Sequence, residues 1–224
     1  MVASDSERVV FVSVIHTDRE SVDEARRVVR ETKPDVVAVE LDHERYNQLT
    51  NPSEEETIPL SSDAAHDLMQ QLALLEKSLG QITGSDVGDE MLAAIEEGRA
   101  VGSKIALIDR PMAETVRAMM RVPMDELYRL IGLLPDATKD IEEGGAGDIL
   151  AILKEDGAVD DLMEQFEKEF PALTDVLIKQ RDQYVAKALK FLLGDVKGKI
   201  VVVLGAGHIQ GVKTALKQLL QEGV

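Results

Sequence analysis

The stretch Ile200-Val201-Val202-Val203-Leu204-Gly205-Ala206-Gly207-His208 decides the fold, because five apolar residues run directly into a glycine-rich turn and a histidine. Consecutive apolar residues are typical of a strand that is covered on both faces, as in a parallel sheet flanked by helices. Apolar residues then recur at helical spacing, at Val212, Ala215, Leu216, Leu219 and Leu220. The end of the chain is therefore predicted as a buried strand, a turn and an amphipathic helix.

Three further apolar runs, at residues 9–15, 36–40 and 105–108, have the same β-branched character. Between the first two runs, Ser21 and Glu24 have the spacing of a capping box at the start of a helix. A strand, a helix and a second strand of this kind form a βαβ unit, whose crossover is almost always right-handed. We therefore predict an α/β fold with a largely parallel central sheet flanked by helices.

The middle of the chain has a different character. Residues 63–99 and 112–193 show helical periodicity with no evident strand, and they are interrupted by Pro135 and Pro171. Because the last strand must return to the first for the core to close, we interpret these segments as a helical insertion or cap. The whole chain, residues 1–224, is accordingly predicted to be one domain.

Composition excludes several classes of function. With 42 acidic and 25 basic residues the formal net charge is -17, which argues against binding to nucleic acid or to anionic lipid. The chain has no cysteine, so any metal ion must be held by His, Asp or Glu. No window approaches the roughly 20 apolar residues of a membrane span, and the first residues lack the features of a signal peptide. The chain as given is expected to be cytoplasmic.

Each predicted strand ends at a charged or metal-binding side chain. These are His16, Glu40, the pair Asp109 and Arg110, and His208. Ligands of open parallel sheets collect at the carboxyl ends of the strands, and two imidazoles with one carboxylate can hold a divalent ion that keeps an open position. The pattern predicts a metal site that combines His16 and His208 with one of the carboxylates at the strand ends. A plainer interpretation is also open, because polar residues end strands in many proteins.

A helix predicted over residues 175–193 carries charge on its apolar face, where Arg181 and Asp182 lie beside Ile178 and Val185. Charged residues are rare on a core face unless they are paired or functional. One interpretation is a contact between Arg181 and Asp182 at the edge of the core. The other is that Arg181, together with the arginine after the third strand, binds a substrate carboxylate or a developing oxyanion.

The segment 205–211 resembles a glycine-rich phosphate loop, since it joins a strand to a helix. Its spacing differs by one residue from that signature, and no later strand supplies the acid that binds a ribose, so nucleotide binding is the weaker interpretation. Gly205 and Gly207 are instead predicted to let the backbone turn tightly, to aim His208 at the sheet edge and to lie beside bound substrate.

Taken in order, several motifs resemble the TraB family, which includes pheromone-shutdown proteins and Tiki proteins. They are Ile15-His16-Thr17 with Glu20-Ser21-Val22, Lys33-Pro34-Asp35-Val36-Val37-Ala38-Val39-Glu40-Leu41-Asp42, Leu107-Ile108-Asp109-Arg110, Arg181-Asp182 and Gly205-Ala206-Gly207-His208. The family pattern has two Gly-X-X-His motifs and a glutamate after the second strand, regarded as a metal-dependent peptidase centre in Tiki relatives. The resemblance therefore implies that His16, Glu40 and His208 form this centre.

Two positions depart from the family pattern. Ser13 replaces the glycine expected three residues before His16, and Gln180 replaces a glutamate beside Arg181. If that glutamate takes part in catalysis, its loss implies a protein that binds without cleaving. Many relatives continue into membrane-spanning helices, so a membrane tether follows if the natural chain extends past Val224.

The sequence thus supports two hypotheses. In the first, the protein is a metal-dependent, peptidase-like hydrolase in which His16, Glu40 and His208 bind Zn, Mn or Co. Glu40 would complete the ligand set or act as general base, while Arg110 and Arg181 would steady the scissile carbonyl or a terminal carboxylate. In the second, it is a regulatory module that sequesters a signalling peptide without turnover. Both hypotheses are compatible with a homo-oligomer.

Overall fold

The computed structural model describes residues 5–16, 18–51, 68, 88–140 and 145–222. At the centre of this part of the chain lies a sheet of four parallel strands, in the order β1-β4-β2-β3. The strands are β1 (Val9–Val14), β2 (Val36–Val39), β3 (Lys104–Leu107) and β4 (Ile200–Gly205). The predicted α/β fold with a parallel sheet is confirmed, and each strand matches its prediction to within one residue at each end.

Helices account for most of the remaining described residues. In chain order they are α1 (Arg19–Thr32), α2 (His43–Thr50), α3 (Asp89–Val101), α4 (Met112–Met119), α5 (Met124–Asp140), α6 (Ala146–Leu153), α7 (Ala158–Glu169), α8 (Pro171–Thr174), α9 (Gln180–Asp195) and α10 (Ile209–Gln221). A π-helical turn, Asp175–Lys179, leads into α9. Within the described residues, none of these helices has the length and apolar character needed to cross a membrane.

The sheet separates two apolar cores. On one face Val202 and its neighbours pack with Leu189 of α9 and with α10. On the other face Val203 packs with Val29 of α1 and with α3. All six residues of β4 are buried, because this strand is central and helices cover both faces. Both α3 and α9 lie in the segments predicted as a helical insertion, yet they cover the sheet itself.

A third apolar cluster joins α4, α5, α8 and the π-helical turn, through residues that include Met119, Leu127, Leu173 and Val176. Its packing fixes the turn from which α9 starts. Since Arg181 lies in the first turn of α9, this helical layer helps to set the position of a charged side chain of the candidate site.

Two local predictions are wrong. Helix α1 is capped by Asp18, whose carboxylate accepts from the backbone N–H of Ser21, so the capping box predicted at Ser21 and Glu24 does not form. Pro135, predicted to interrupt a helix, lies inside α5. The helix continues past it because Pro135 is exposed, where water can satisfy the carbonyl that loses its backbone partner.

Candidate functional site

The carboxyl ends of the strands bring together side chains from both ends of the chain. His16 follows β1, Glu40 follows β2 directly, Asp109 follows β3, and His208 closes the short turn Ala206–His208 after β4. Because β4 lies between β1 and β2 in the sheet, His208 emerges between the other two predicted metal ligands. Strand order thus places residues almost two hundred positions apart at one edge.

Gly205 marks the point where these side chains meet. A Cβ atom at this position would lie 3.1 Å from His16 Nε2, 3.4 Å from Glu40 Oε2 and 3.7 Å from His208 Cδ2. The backbone N–H of Gly205 donates to Glu40 Oε2 at 2.8 Å, and His208 Nε2 lies 3.4 Å from Glu40 Oε1. The two imidazoles and the carboxylate predicted as one site therefore surround a single backbone position.

Each imidazole is backed by a buried carboxylate on a helix. His16 Nδ1 lies 2.6 Å from Glu90 Oε1 of α3, and His208 Nδ1 lies 2.7 Å from Asp182 Oδ1 of α9. Glu90 is 1% exposed and Asp182 is 4% exposed. The contact between Arg181 and Asp182, one of the two interpretations of this helix, does not form: the two neighbours pair with different partners.

Sequence reasoning missed Glu90 altogether. An acid in the first turn of a helix is common, since it complements the helix dipole, and this hides its role. The signal that could have found Glu90 is a charged residue on the apolar face of a helix, the pattern that singled out Arg181 and Asp182 of α9. Glu90 precedes Met91 and lies four residues before Ala94, on a face that is buried against the sheet.

Arg181 lies among the carboxylates of the site. Its Nη2 donates to Glu40 Oε1 and to Asp109 Oδ2, its Nε donates to Asp109 Oδ1 at 3.0 Å, and its Nη1 lies 3.2 Å from His208 Nε2. Its charge lies against Glu40 and His208, two of the three proposed ligands. These contacts place Arg181 inside the site, as predicted for a functional arginine, while its role toward substrate stays a prediction.

Electrostatics at the site strongly favour ionised Glu40. Burial opposes its ionisation, but the charges of His208, Arg181 and His16, with the N–H of Gly205, outweigh burial and lower the pKa of Glu40 to about 2. Although burial opposes the charge of Arg181 as well, Glu40 and Asp109 raise the pKa of this guanidinium. Burial raises the pKa of Asp182, and the neighbouring His208 offsets part of that rise.

Arg110 is held by protein groups next to the site. Its Nε donates to Thr115 Oγ1 at 3.0 Å, its Nη1 to Gln180 Oε1 at 2.8 Å and its Nη2 to the carbonyl of Val176 at 3.0 Å. Burial, followed by the charge of Arg181, lowers the pKa of Arg110. Gln180, the departure from the family pattern, thus contacts Arg110. The predicted contact between Arg110 and substrate stays a prediction.

The glycines of segment 205–211 serve close packing and not a special backbone conformation. In the described residues the glycines with positive φ are Gly88, Gly102 and Gly157, so the tight turn predicted from glycine flexibility is not the reason for these residues. A Cβ on Gly207 would lie 3.2 Å from Met163 Sδ, and one on Gly211 would lie 1.8 Å from Asp182 Oδ2. Each glycine makes room for a different neighbour.

The donor chemistry of the site fits a divalent cation. Four carboxylates, those of Glu40, Glu90, Asp109 and Asp182, contact the imidazoles or Arg181, which leaves an excess of negative charge. Glu90 Oε2 is buried and has no hydrogen-bond partner among the described residues. In the same part of the chain, no three His, Asp or Glu side chains have the geometry of a metal site. Arg181 contacts Glu40 Oε1 and His208 Nε2, which a bound ion would need, so ion binding would require Arg181 to shift.

A cleft of about 680 Å³ lies beside this edge of the sheet. Its floor includes Ser13, Ile15 and Ala206, and its outer wall is the segment that joins α6 to α7. Lys154 of that wall reaches across to Asp18 and Glu20, at 3.0 and 2.8 Å. The exposed Ser13 shows that a side chain is accommodated where the family pattern has glycine.

Comparisons with known proteins agree with the resemblance to the TraB family. The chain is 29% identical over 226 residues to an uncharacterized protein of Methanocaldococcus jannaschii, which covers 94% of this chain and 54% of that protein. It is 27% identical over 248 residues to TraB domain-containing proteins of Bos taurus and Homo sapiens, which covers 95% of this chain and 63% and 64% of theirs. The chain thus spans between half and two thirds of the length of these relatives.

The model of the TraB/PrgY/gumN family matches residues 1–224. This range contains every motif on which the resemblance to the TraB family rests. It also contains the four strands and the cluster around Gly205. The chain therefore belongs to the TraB/PrgY/gumN family.

Proposed function

We propose that this protein is a metal-dependent hydrolase that acts on peptides, with His16, Glu40 and His208 holding a divalent ion. One observation carries the proposal: the two imidazoles and the carboxylate meet around Gly205, although they come from opposite ends of the chain. The excess of carboxylates in the same cluster supports a cation there, because buried negative charge is costly unless it is compensated.

When bound, a Zn, Mn or Co ion would polarise a carbonyl and lower the pKa of a water molecule toward neutrality. Glu40 fits the role of ligand better than that of general base. With a pKa of about 2 it is ionised at neutral pH and accepts a proton poorly. The sequence left both roles open, and the electrostatics favour the first.

Arg181 has the second role in the proposal. A bound ion would displace its guanidinium from His208, and from its contact with Asp109 it would then stabilise negative charge that develops on a carbonyl oxygen at the site. Arg110 supports the same region through Gln180 and the carbonyl of Val176, and it would approach a terminal carboxylate only after changing these contacts.

Peptides are proposed as substrates on two grounds. The cleft has a volume within the range of about 300–1,000 Å³ that is typical of ligand sites. Its lining includes Ile15 and Ala206, the chain neighbours of His16 and Gly205, but not His16, Glu40, His208 or Arg181 themselves. The TraB resemblance, with its peptidase-like relatives, points to the same class.

The second candidate function is a peptide-binding regulatory module without turnover. The contacts of Arg181 favour it, because this guanidinium already donates to Glu40 and contacts His208 Nε2, where a metal ion would need these atoms. In such a module Arg181 would be the permanent cation of the site, and the cleft would hold the peptide.

Metal analysis of the purified protein, combined with hydrolysis of short peptides, separates the two candidates. The hydrolase predicts one Zn, Mn or Co per chain, lost together with activity in His16→Ala/His208→Ala. His43→Ala, which alters an exposed histidine at the start of α2, is the matched control and should keep both. Peptide binding with no metal and no cleavage would establish the module instead.

A further inference from the structure

The proton positions of His208 follow from its neighbours. A guanidinium has five N–H donors and no acceptor, so the contact between Arg181 Nη1 and His208 Nε2 at 3.2 Å requires the ring nitrogen to accept. The proton of the neutral ring then lies on Nδ1, which donates to Asp182 Oδ1 at 2.7 Å. Nε2 itself lies 3.4 Å from Glu40 Oε1.

His16 has the same arrangement on the opposite side of the site. Its Nδ1 lies 2.6 Å from Glu90 Oε1, and an ionised carboxylate only accepts hydrogen bonds. This leaves Nε2 as the ring nitrogen that faces Gly205 and Glu40. Two helices on opposite faces of the sheet, α3 and α9, thus present one carboxylate each to one imidazole each.

We propose that Glu90 and Asp182 are positioning residues that hold both imidazoles as the Nδ1–H tautomer, so that the two Nε2 lone pairs converge beside Glu40. The inference deepens the proposed metal centre and rests on it for its purpose, since a metal-binding imidazole commonly donates its other N–H to a carboxylate. The tautomers themselves can be measured without a metal.

The packing around each carboxylate supports this assignment. Gly211 lies in the first turn of α10, where glycine is less favourable than alanine by about 1 kcal/mol. A Cβ there would collide with Asp182, so the helix keeps a glycine that leaves room for this carboxylate. Glu90 is buried with one oxygen lacking a partner among the described residues, which costs stability.

The test uses variants that change one carboxylate and leave both histidines in place. Glu90→Met removes the acceptor at similar volume, Glu90→Gln keeps a carbonyl acceptor, and Gly211→Ala displaces Asp182 without deleting it. Glu96→Met, an exposed position on the same helix as Glu90, is the control. Thermal unfolding shows which variants are folded; a merely structural Glu90 predicts a destabilised Glu90→Met, whereas we expect stability to be kept.

The first readout is the 15N shift of the ring nitrogens in metal-free protein, recorded over a pH series and read at a pH where the spectra show both rings to be neutral. We expect Nδ1–H for both rings in the wild type, Glu90→Gln and Glu96→Met. Glu90→Met should move only His16 toward Nε2–H, and Gly211→Ala should change only the Nδ1 shift of His208, because the hydrogen bond to Asp182 is lost while Arg181 still donates to Nε2. The proposal would be overturned if the wild type had the Nε2–H tautomer, or if the 15N shifts of the rings did not change with these substitutions.

The second readout is the affinity for Zn, measured by competition with a chelator. We expect Glu90→Met and Gly211→Ala each to lose about 10- to 100-fold and Glu90→Gln to recover most of that loss. Unchanged affinity in folded Glu90→Met would overturn the positioning role. If the tautomers follow the predictions and the wild type binds no Zn, the metal centre fails while the assignment of Glu90 and Asp182 stands.

Discussion

Arg181 lies between Glu40 and Asp109, and its charge compensates both carboxylates in a region with little access to water. We expect Arg181→Met to lower the free energy of unfolding by about 3–5 kcal/mol, because it leaves two buried charges unpaired. Urea denaturation measures this loss. Adding Glu40→Gln and Asp109→Asn removes the unpaired charges and should recover most of it; a triple variant no more stable than Arg181→Met would contradict this explanation.

The pKa of Glu40 predicts a pH dependence of stability. It falls from an ordinary value of 4.5 to about 2 on folding, so the ionised form stabilises the native state above about pH 4.5, and this contribution is lost as pH falls toward 2. In metal-free protein above about pH 4.5, Glu40→Gln should therefore be less stable than the wild type, by on the order of a few kcal/mol. Denaturation curves should show this difference shrinking between pH 4.5 and pH 2. A difference that is constant with pH would show that Glu40 does not titrate as described.

At the residue scale, the candidate site residues at the ends of the strands could be predicted. The carboxylates that contact the two imidazoles could not. His16, Glu40 and His208 followed from where apolar runs stop. Glu90 did not, because its role depends on how α3 packs against the sheet, which no local pattern contains. Asp182 was recognised as unusual, but its partner is an imidazole 26 positions away in sequence.

At the scale of elements, α3 packs closely against β2 and β3. A Cβ on Gly98 would lie 2.8 Å from Val37 Cγ2 and 3.0 Å from Ile105 Cδ1. Gly98→Ala should therefore lower the free energy of unfolding by about 1–2 kcal/mol, since overpacking outweighs the better helix propensity of alanine.

Gly194→Ala is the matched control, since this glycine lies in α9 with no atom within 4 Å of an added Cβ. It should raise stability by about 0.5 kcal/mol. Thermal and urea unfolding of the two variants measure the contrast. A Gly98→Ala protein as stable as Gly194→Ala would mean that α3 lies farther from the sheet than described.

Helices and strands could be predicted because apolar residues recur at helical spacing in helices and follow one another directly in these strands. The residue that caps a helix, and the surface on which a helix packs, depend on contacts that such spacing does not describe. Asp and Ser are both common N-cap residues, so either Asp18 or Ser21 could cap α1. The helix begins directly after Asp18 because the carboxylate of Asp18 accepts from the N–H of Ser21. Helix α9 was assigned to an insertion because no strand is evident from residue 112 to residue 193. Its buried residues Val185 and Leu189 in fact pack on the sheet.

At the scale of the whole molecule, the candidate site depends on strand order. The last strand lies between the first two, and this brings His208 to Glu40 and His16. The parallel class of the sheet could be predicted from its apolar runs. The order could not, because every order of four such strands has similar local patterns and only the packing of the complete chain selects one.

The most direct test of the central claim is an anomalous difference map from crystals of the protein grown with Zn. The account predicts one strong peak within bonding distance of His16 Nε2, His208 Nε2 and a Glu40 oxygen, with Arg181 moved away from His208. A map with no peak there, or imidazoles that lie apart and face separate regions of solvent, would contradict it.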